Sequence, residues 1–194
     1  MISIITAFNS DFRRLGAICA SSMMHHRIRV EPDVLLGAKP IPDSFERPPS
    51  WFKIPYIIEA MKLEYEFVLW IDSDAMLTGK QRVKDLIDPK SDLTIATDEN
   101  GINCGVMAWR SSGKTLDFLD RVWKSEEFIE HHWWEQAAIA DMIDELSVSY
   151  VDKSLFNAYP SDAADESGIL HWPGMSTEER ETLMAEAFNK HWLC

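Results

Sequence analysis

The sequence of 194 residues is poor in cysteine, glycine and basic side chains, and each scarcity excludes a class of protein. Its three cysteines, Cys19, Cys104 and Cys194, are far apart and form no C-x-x-C pair, so they predict free thiols in a reducing compartment and argue against a thiolate zinc site. Only 8 glycines and 9 prolines, beside 46% hydrophobic residues, exclude a fibrous or disordered chain. Nineteen basic against 32 acidic residues give a net charge of −13, which argues against a nucleic-acid partner because phosphate backbones bind basic surfaces.

Long apolar runs and targeting signals are also lacking. The apolar stretch Ile2–Phe8 has no basic region before it and is too short for a secretory signal, so it predicts the first strand. The run Phe67–Ile71 is soon ended by Asp72, far short of the roughly 20 apolar residues of a bilayer span. We therefore expect no transmembrane segment and a soluble, cytoplasmic chain.

Strand-like and helix-like patterns alternate along the chain. This alternation predicts a single α/β domain over residues 1–194, with a mostly parallel central sheet flanked by helices. The predicted strands are Ile2–Phe8, a short segment at 28–30 or 34–36, Phe67–Ile71, 93–96, 104–109 and Val148–Val151. Helices are predicted from Phe12, after Ser50 as the capping residue, over 115–123 and 134–146, and from the capping box Ser176 to Glu179 toward Phe188.

Two carboxylates, Asp72 and Asp74, follow the continuous apolar run Phe67–Ile71, which is typical of a strand buried on both faces. Ligands of open α/β sheets gather beyond the carboxyl ends of the strands. Two carboxylates two residues apart can share one hard divalent cation, whose other positions take water and phosphate oxygens. About one D-x-D is expected by chance in so acidic a chain, so the position after a buried strand carries the prediction of a metal site.

Other interpretations of the same residues stay open. In a phosphatase-type D-x-D-x-[TV] strand end, Asp72 would attack phosphate as the nucleophile, although Met76 stands where Thr or Val is usual. An acidic turn without a ligand is a second alternative. A non-catalytic glycan-binding module would account for the 8 tryptophans, but not for carboxylates that follow a buried strand.

Four short blocks occur in order along the chain: W-I-D-S-D-A at 70–75, N-C-G-V-M-A-W-R at 103–110, E-Q-A-A at 135–138 and H-W-P-G at 171–174. Together they resemble the W-[IL]-D-[SA]-D-A, N-x-G-x-x-x-x-R, E-Q-x-A and H-x-x-G blocks of the retaining α-galactosyl, xylosyl and mannosyltransferases of plants and fungi. They are similar more distantly to the glycogenin and galactinol synthase-like group. The resemblance covers about residues 51–174 and implies a GT-A fold with transfer of a sugar from a nucleoside diphosphate, with UDP-hexose as the expected donor. Golgi members of the family carry an N-terminal membrane anchor and are longer, so we expect a bacterial or viral form or an excised catalytic domain.

The resemblance also implies a metal centre. Asp72, Asp74 and His171 would hold Mn²⁺ or Mg²⁺ against the diphosphate, and one imidazole beside two carboxylates favours Mn²⁺. As a Lewis acid, the cation would neutralise charge on the departing nucleoside diphosphate. In the glycogenin-like group a Lys on the diphosphate follows the H-x-x-G block, but this chain has Met175, Ser176, Thr177 and Glu178 there. We expect Lys53 or the backbone amides at the Ser176 helix start to replace that Lys.

Donor-binding residues are expected at strand ends and within the blocks. Asn103 offers hydrogen-bond donors and an acceptor to sugar hydroxyls, and Gly105 permits a close approach of the sugar. The nucleotide is expected at the end of the first strand, with Arg13 near phosphate. The expected donor contacts are Thr6, Phe8, Asn9, Lys53, Asp72, Ser73, Asp74, Asp98, Asn103, Gly105 and Gly174. Some of Trp109, Trp133, Trp134 and Trp172 are expected to line the sugar groove, and the acceptor is expected to be a glycan or glycoconjugate.

Glu135 and Gln136 are the expected catalytic residues. The resemblance implies that this pair lies below the anomeric carbon and stabilises oxocarbenium-like charge, or that one member acts as a nucleophile. A covalent glycosyl intermediate and same-face attack both stay open. The alternative for Glu135 is a solvated side chain in the first turn of a helix. The adjacent His131 and His132 are interpreted as surface or acceptor-side residues.

Overall fold

The computed structural model describes residues 1–42 and 46–193. The expected free thiol Cys194 and part of the proline-rich segment 39–50 lie outside the described residues. Cys19 and Cys104 are free and buried. Burial raises the pKa of the Cys19 thiol to about 12, so this cysteine is a packing residue and not a nucleophile.

The described residues form eight strands and seven α-helices. The strands are β1 Ile2–Phe8, β2 Leu35–Pro40, β3 Phe67–Ile71, β4 Ala75–Leu77, β5 Leu93–Asp98, β6 Gly101–Arg110, β7 Val148–Val151 and β8 Ile169–His171. The α-helices are α1 Arg13–Arg29, α2 Lys53–Met61, α3 Val83–Leu86, α4 Gly113–Lys124, α5 Trp134–Met142, α6 Lys153–Phe156 and α7 Thr177–Phe188. None of the helices in these ranges combines the length and the apolar content needed to cross a bilayer.

Six strands form one central sheet in the order β2-β1-β3-β6-β5-β7. The pairs β1 with β2, β1 with β3, and β5 with β7 are parallel, whereas β6 is antiparallel to both β3 and β5. The remaining strands, β4 and β8, form a separate two-stranded sheet. The predicted α/β architecture with a mostly parallel sheet is confirmed.

Helices cover both faces of the central sheet, which explains the continuous apolar run of β3. Phe67, Leu69 and Ile71 pack in the core that also contains the buried face of α1 and Met184 of α7. Val68 and Trp70 pack in the opposite core, against residues of α2, α4 and α5. Every residue of β3 is buried, as the sequence predicts.

Most predicted elements are found, with two instructive differences. The second strand is β2, and the alternative segment at 28–30 is the end of α1 instead. The expectation that Ser50 caps a helix is wrong, because residues 49–52 form a 3₁₀ turn that continues into α2. The Ser50 backbone carbonyl accepts from the Lys53 amide, so the turn itself satisfies a donor that the hydroxyl was expected to satisfy. The Ser176 capping box is confirmed.

Asp92 joins three elements at the start of β5, and its removal tests the packing of this side of the sheet. Its carboxylate accepts from Arg110 Nη2 at 3.0 Å, Lys114 Nζ at 2.7 Å and the Ser147 amide at 3.0 Å. Burial alone would raise the pKa of Asp92, but these partners lower it to about 2. We expect Asp92→Asn to lower the free energy of unfolding at pH 7 by about 2 to 3 kcal/mol, measured by urea denaturation.

The pH dependence has a defined sign. The pKa of Asp92 in the folded protein, about 2, lies below its ordinary value, so the carboxylate stabilises the fold above about pH 4 and this contribution is lost as the pH falls toward 2. The difference between wild type and Asp92→Asn should therefore shrink over that range. Asp141→Asn, at an exposed position of α5, is the control and should match wild type. Equal stability of wild type and Asp92→Asn at pH 7 would contradict this account.

Candidate functional site

A cleft of about 290 Å³ opens at the carboxyl ends of β1 and β3. This is the edge at which open α/β sheets bind ligands. The cleft is lined by residues that include Phe8, Asn9, Phe12, Lys53, Trp70, Asp72, Ser73, Asp74, Trp134 and Arg180. A second cleft, of about 330 Å³, lies beside Met1 and Phe67 and shares none of these residues.

The two-stranded sheet delivers His171 to the carboxylates. In this sheet, Ala75 of β4 pairs with His171 of β8, and the Trp172 amide donates to the Asp74 carbonyl at 3.0 Å. The turn that follows β3 is fixed from the other side, because the Asp72 amide donates to the carbonyl of Gly105 at 2.8 Å. Residues separated by about a hundred positions therefore meet at one strand end.

Asp72, Asp74 and His171 form a cluster whose ligand atoms all lie within 4.8 Å of one another. The His171 Nε2 atom is 3.4 Å from Asp74 Oδ1, and its Nδ1 atom is 2.8 Å from Asn157 Oδ1. Because an amide oxygen only accepts, Nδ1 donates in that bond, and Nε2 is the ring nitrogen that faces the carboxylates. With Nε2 unprotonated, a divalent cation would bind its lone pair together with the two carboxylates, so the donor set fits the expected metal.

A chain of hydrogen bonds extends from His171 to Asp98. Asn157 Nδ2 donates to Asn103 Oδ1 at 2.9 Å, and Asn103 Nδ2 donates to Asp98 Oδ2 at 2.8 Å. The Tyr159 hydroxyl donates to the same Asp98 oxygen at 2.5 Å. Burial raises the pKa of Asp98, but the bonds from Tyr159 and Asn103 lower it below its ordinary value. Asn103 and Asp98, predicted to contact the sugar, are here the support that orients His171.

Gly105 is required by His171. A Cβ atom built on Gly105 would lie 2.2 Å from His171 Cε1 and 2.8 Å from Nδ1. The missing side chain therefore makes room for the imidazole, whereas the sequence predicted room for the sugar. The pairing of β5 with β6 shifts register between Ile95 and Ala96, which leaves Gly105 without a partner on β5, and the Gly105 carbonyl accepts from the Asp72 amide on the other side.

Lys53 lies beneath the cleft as a buried cation. Its Nζ atom is 3.1 Å from Asp72 Oδ1, 2.9 Å from Glu135 Oε1 and 3.1 Å from the Cys104 carbonyl oxygen. Burial would lower the pKa of Lys53, but the charges of Asp72 and Glu135 raise it above its ordinary value. Trp70 Nε1 also donates to Asp72 Oδ1 at 2.6 Å, so this carboxylate is held from two sides.

The side chain of Glu135 faces Lys53 in the interior, and that of Gln136 contacts β6. Glu135 is 3% exposed, so the alternative of a solvated first-turn side chain is wrong. Its Oε2 atom has no hydrogen-bond partner among the described residues. Gln136 Oε1 accepts from the Cys104 amide at 3.1 Å. The preceding Trp134 has φ 42°, a strained value for a bulky residue, at the point where α5 turns Glu135 inward.

Arg180 is the residue that sequence reasoning missed. Its Nη1 atom donates to Asp74 Oδ2 at 2.8 Å, and its Nε atom donates to the Met175 carbonyl at 2.8 Å. Burial alone would raise the pKa of Asp74, but His171 and Arg180 hold it below its ordinary value. A signal was present, because Arg180 is the only basic residue between His171 and Phe188. It comes from the first turns of α7, where the sequence predicted only backbone amides.

The remaining predicted donor contacts divide into two groups. Phe8, Asn9 and Ser73 line the cleft, and Asn9 Oδ1 also accepts from the Phe12 amide at 3.2 Å. Thr6 is fully buried below the cleft and Gly174, at φ 73°, is exposed in the turn before α7, so neither lines it. Arg13, expected near phosphate, is exposed and does not line the cleft either.

The tryptophans are only partly where the sequence predicts them. Trp109 and Trp172 are buried in the two cores, so neither is among the tryptophans that line the cleft. Trp134 lines the cleft and is 45% exposed, and the adjacent Trp133 is 42% exposed. Two exposed indoles therefore lie side by side in the sequence at the start of α5, and that of Trp134 borders the cleft.

No protein-family model matches the chain, and no curated protein sequence does. Solved structures do match it. A glycosyltransferase involved in glycosylation of the major capsid of PBCV-1 superposes with a TM-score of 0.79 at 18% identity, over 95% of this chain and 98% of that one. An active-site mutant of LgtC gives 0.60 at 12% identity, over 95% of each chain. GlyE of Streptococcus pneumoniae TIGR4 gives 0.62 at 17% identity, over 97% of this chain and 62% of that one. The chain thus has the GT-A fold of these structures.

The contact between Gly105 and His171 gives a test of the site geometry. We expect Gly105→Ala to displace the imidazole, to weaken binding of Mn²⁺ at least about ten-fold and to lower the free energy of unfolding by about 1 to 3 kcal/mol. Equilibrium binding of Mn²⁺ and urea denaturation measure the two effects. Gly113→Ala is the matched control, because a Cβ there meets nothing within 4 Å. Unchanged Mn²⁺ binding by Gly105→Ala would contradict the assigned role of Gly105.

Proposed function

We propose that the chain is a metal-dependent glycosyltransferase. It transfers a sugar from a nucleoside diphosphate sugar, a UDP-hexose in the first instance, to a hydroxyl of a glycan or glycoconjugate, with retention of anomeric configuration, and residues 1–194 act as one catalytic domain. The observation that carries the proposal is that two carboxylates and two cationic side chains of one cleft meet a buried imidazole whose ligand atom lies within 4.8 Å of those of both carboxylates. That cleft lies at the ligand-binding edge of a fold whose solved examples above are glycosyltransferases.

The proposed donor complex follows from the chemistry of the cleft. Asp72, Asp74 and His171 would hold Mn²⁺ or Mg²⁺, which when bound supplies Lewis acidity to the departing nucleoside diphosphate. Lys53 and Arg180 bring two permanent positive charges to the same cleft, where phosphate oxygens accept charge-assisted hydrogen bonds. Phe8 and Asn9, at the end of β1, offer a ring and an amide to the nucleotide base.

The contacts of the buried residues change the roles that the resemblance implies on the sugar side. Asn103 and Asp98 belong to the hydrogen-bond chain that orients His171, and Gly105 leaves room for its imidazole, so these three residues act through His171. Glu135 acts through its negative charge at the floor of the site, held against Lys53, and Gln136 fixes the backbone of Cys104 beside it. A buried carboxylate in low-dielectric surroundings stabilises positive charge that develops at a nearby anomeric carbon.

Replacement of Glu135 separates its charge from its shape. We expect Glu135→Gln to lower donor hydrolysis and transfer by about 100-fold while leaving UDP binding in the presence of Mn²⁺ within about 3-fold of wild type. The reason is that the amide keeps the side-chain volume but no longer stabilises oxocarbenium-like charge. The measurements are kcat with saturating donor and the Kd of UDP. Equal losses of binding and rate would show that Glu135 only maintains the structure of the site.

The phosphatase alternative receives less support from the geometry. Asp72 follows β3, the third strand of the chain, whereas the phosphatase motif usually closes the first strand of its fold. Trp70 Nε1 and Lys53 Nζ make their shortest contacts with Oδ1 of Asp72, so the strand order, and not the lack of a free oxygen, disfavours a nucleophilic Asp72. Capture of beryllium fluoride as an aspartyl adduct on Asp72 would favour the phosphatase, and its absence under conditions that support donor hydrolysis favours the transferase.

The direct test of the proposed function is a panel of nucleotide sugars with Mn²⁺, scored for hydrolysis in the absence of an acceptor. We expect one or more UDP-sugars to be hydrolysed, and the activity to be lost with a chelator and to fall at least about 100-fold in Asp74→Asn. Asp120→Asn, on the exposed ion pair of Asp120 with Lys124 in α4, is the matched control. A glycan-binding module would bind sugars without Mn²⁺ and without hydrolysis. If no donor is bound or hydrolysed by the intact protein, the proposal fails.

A further inference from the structure

We propose that Arg180 is an exchangeable counter-ion of the cation site. It pairs with Asp74 in the donor-free protein, and it turns to the donor's phosphate groups when a divalent cation and a nucleoside diphosphate bind together. The inference rests on the proposed function and adds to it how the site admits a cation. Arg180 opposes the binding of a bare divalent ion and favours the ion that arrives with its diphosphate.

The two oxygens of Asp74 have different partners. Oδ1 is 3.4 Å from His171 Nε2, and Oδ2 is 2.8 Å from Arg180 Nη1. A cation held by Asp72, Asp74 and His171 would therefore lie only a few ångströms from the guanidinium. In this half-buried cleft the repulsion between a divalent and a monovalent cation is only partly screened. Because a guanidinium does not lose its proton, Arg180 relieves the repulsion only by moving away.

The cleft offers Arg180 an alternative partner. Its side chain is 17% exposed and lines the same cleft as Asp72 and Lys53, where the diphosphate is proposed to bind. Phosphate oxygens match the geometry of a guanidinium and form strong charge-assisted hydrogen bonds with it. When a bare divalent ion binds, Arg180 loses its ion pair with Asp74 and gains no new partner. When a diphosphate binds with the ion, hydrogen bonds from Arg180 to phosphate oxygens replace that ion pair.

The second cation of the cleft is held differently, which makes Arg180 the exchangeable one. Lys53 is fully buried and contacts two carboxylates, Asp72 and Glu135, together with the Cys104 carbonyl. If a cation displaced Lys53 from Asp72, Lys53 would still be paired with Glu135, so we expect it to stay in place. Among the carboxylates of residues 1–42 and 46–193, Arg180 pairs with one, and that partner is a proposed metal ligand.

The experiment is a titration of Mn²⁺ into the donor-free protein and into the protein with UDP, followed by the electron paramagnetic resonance signal of free Mn²⁺. We expect Arg180→Met to bind Mn²⁺ alone about ten-fold more tightly than wild type, because the opposing charge is gone. With Mn²⁺ present, the same variant should bind UDP about ten-fold more weakly. The factor by which UDP strengthens Mn²⁺ binding equals the factor by which Mn²⁺ strengthens UDP binding, so with UDP binding in the absence of Mn²⁺ unchanged it should fall about ten-fold.

The matched control is Arg14→Met. Arg14 is 82% exposed and pairs with Glu181 of α7 at 3.1 Å, so this variant removes the same charge and volume next to the same helix without touching the cleft. It should behave as wild type in both titrations. If circular dichroism shows Arg180→Met to be unfolded, Arg180→Gln serves the same comparison.

The outcomes distinguish the inference from the proposed function. Equal or weaker binding of Mn²⁺ alone by the Arg180 variant overturns the inference, and tight binding of UDP with Mn²⁺ by wild type would still support the proposed function. If wild type binds no Mn²⁺ even with UDP, the proposed metal site fails and the inference fails with it. Tighter binding of Mn²⁺ alone together with weaker binding of UDP supports the exchange.

Discussion

The carboxylate of Asp74 is the point at which the separate parts of this molecule meet. Asp74 follows the central strand β3, and its backbone carbonyl accepts from the amide of Trp172, the residue after β8. The two carboxylate oxygens of Asp74 face His171 and Arg180 of α7. Burying this charge is unfavourable unless partners compensate it. The small sheet of β4 and β8 and the docking of α7 supply those partners. The compensation of one buried charge therefore determines which residues surround the candidate cation site.

The central strand and its carboxylates could be predicted from the sequence because their cause is local. An apolar run without alternation, such as Phe67–Ile71, requires cover on both faces, and the chain supplies helices on both sides. The capping box at Ser176 is likewise a relation between neighbouring residues. The position after a buried strand predicted Asp72 and Asp74 as metal ligands, and the family resemblance added His171. The ligand atoms of these three residues lie within 4.8 Å of one another.

Other features could not be predicted because their cause is distant in the sequence. Gly105 is needed for an imidazole 66 positions later, and the hydrogen-bonding groups of Asn103 are used by Asn157 and Asp98. The inward position of Glu135 depends on the strained backbone of Trp134 and on Lys53. Arg180 belongs to a helix whose position is fixed only when α7 packs against α1. The sequence shows which of these residues are polar or small, but a local pattern does not show which distant residue each of them contacts.

The net charge of −13 gains a specific meaning at the cleft. A diphosphate approaches so acidic a chain unfavourably unless cations neutralise it, and the described cleft holds Lys53 and Arg180 beside a cluster fit for a divalent ion. The most direct measurement of this account is the anomalous difference density of a crystal containing Mn²⁺ and UDP. The account predicts one strong peak bonded to Asp72, Asp74, His171 and two phosphate oxygens, with Arg180 turned from Asp74 to phosphate. UDP bound in the cleft with no peak at these three residues would contradict it.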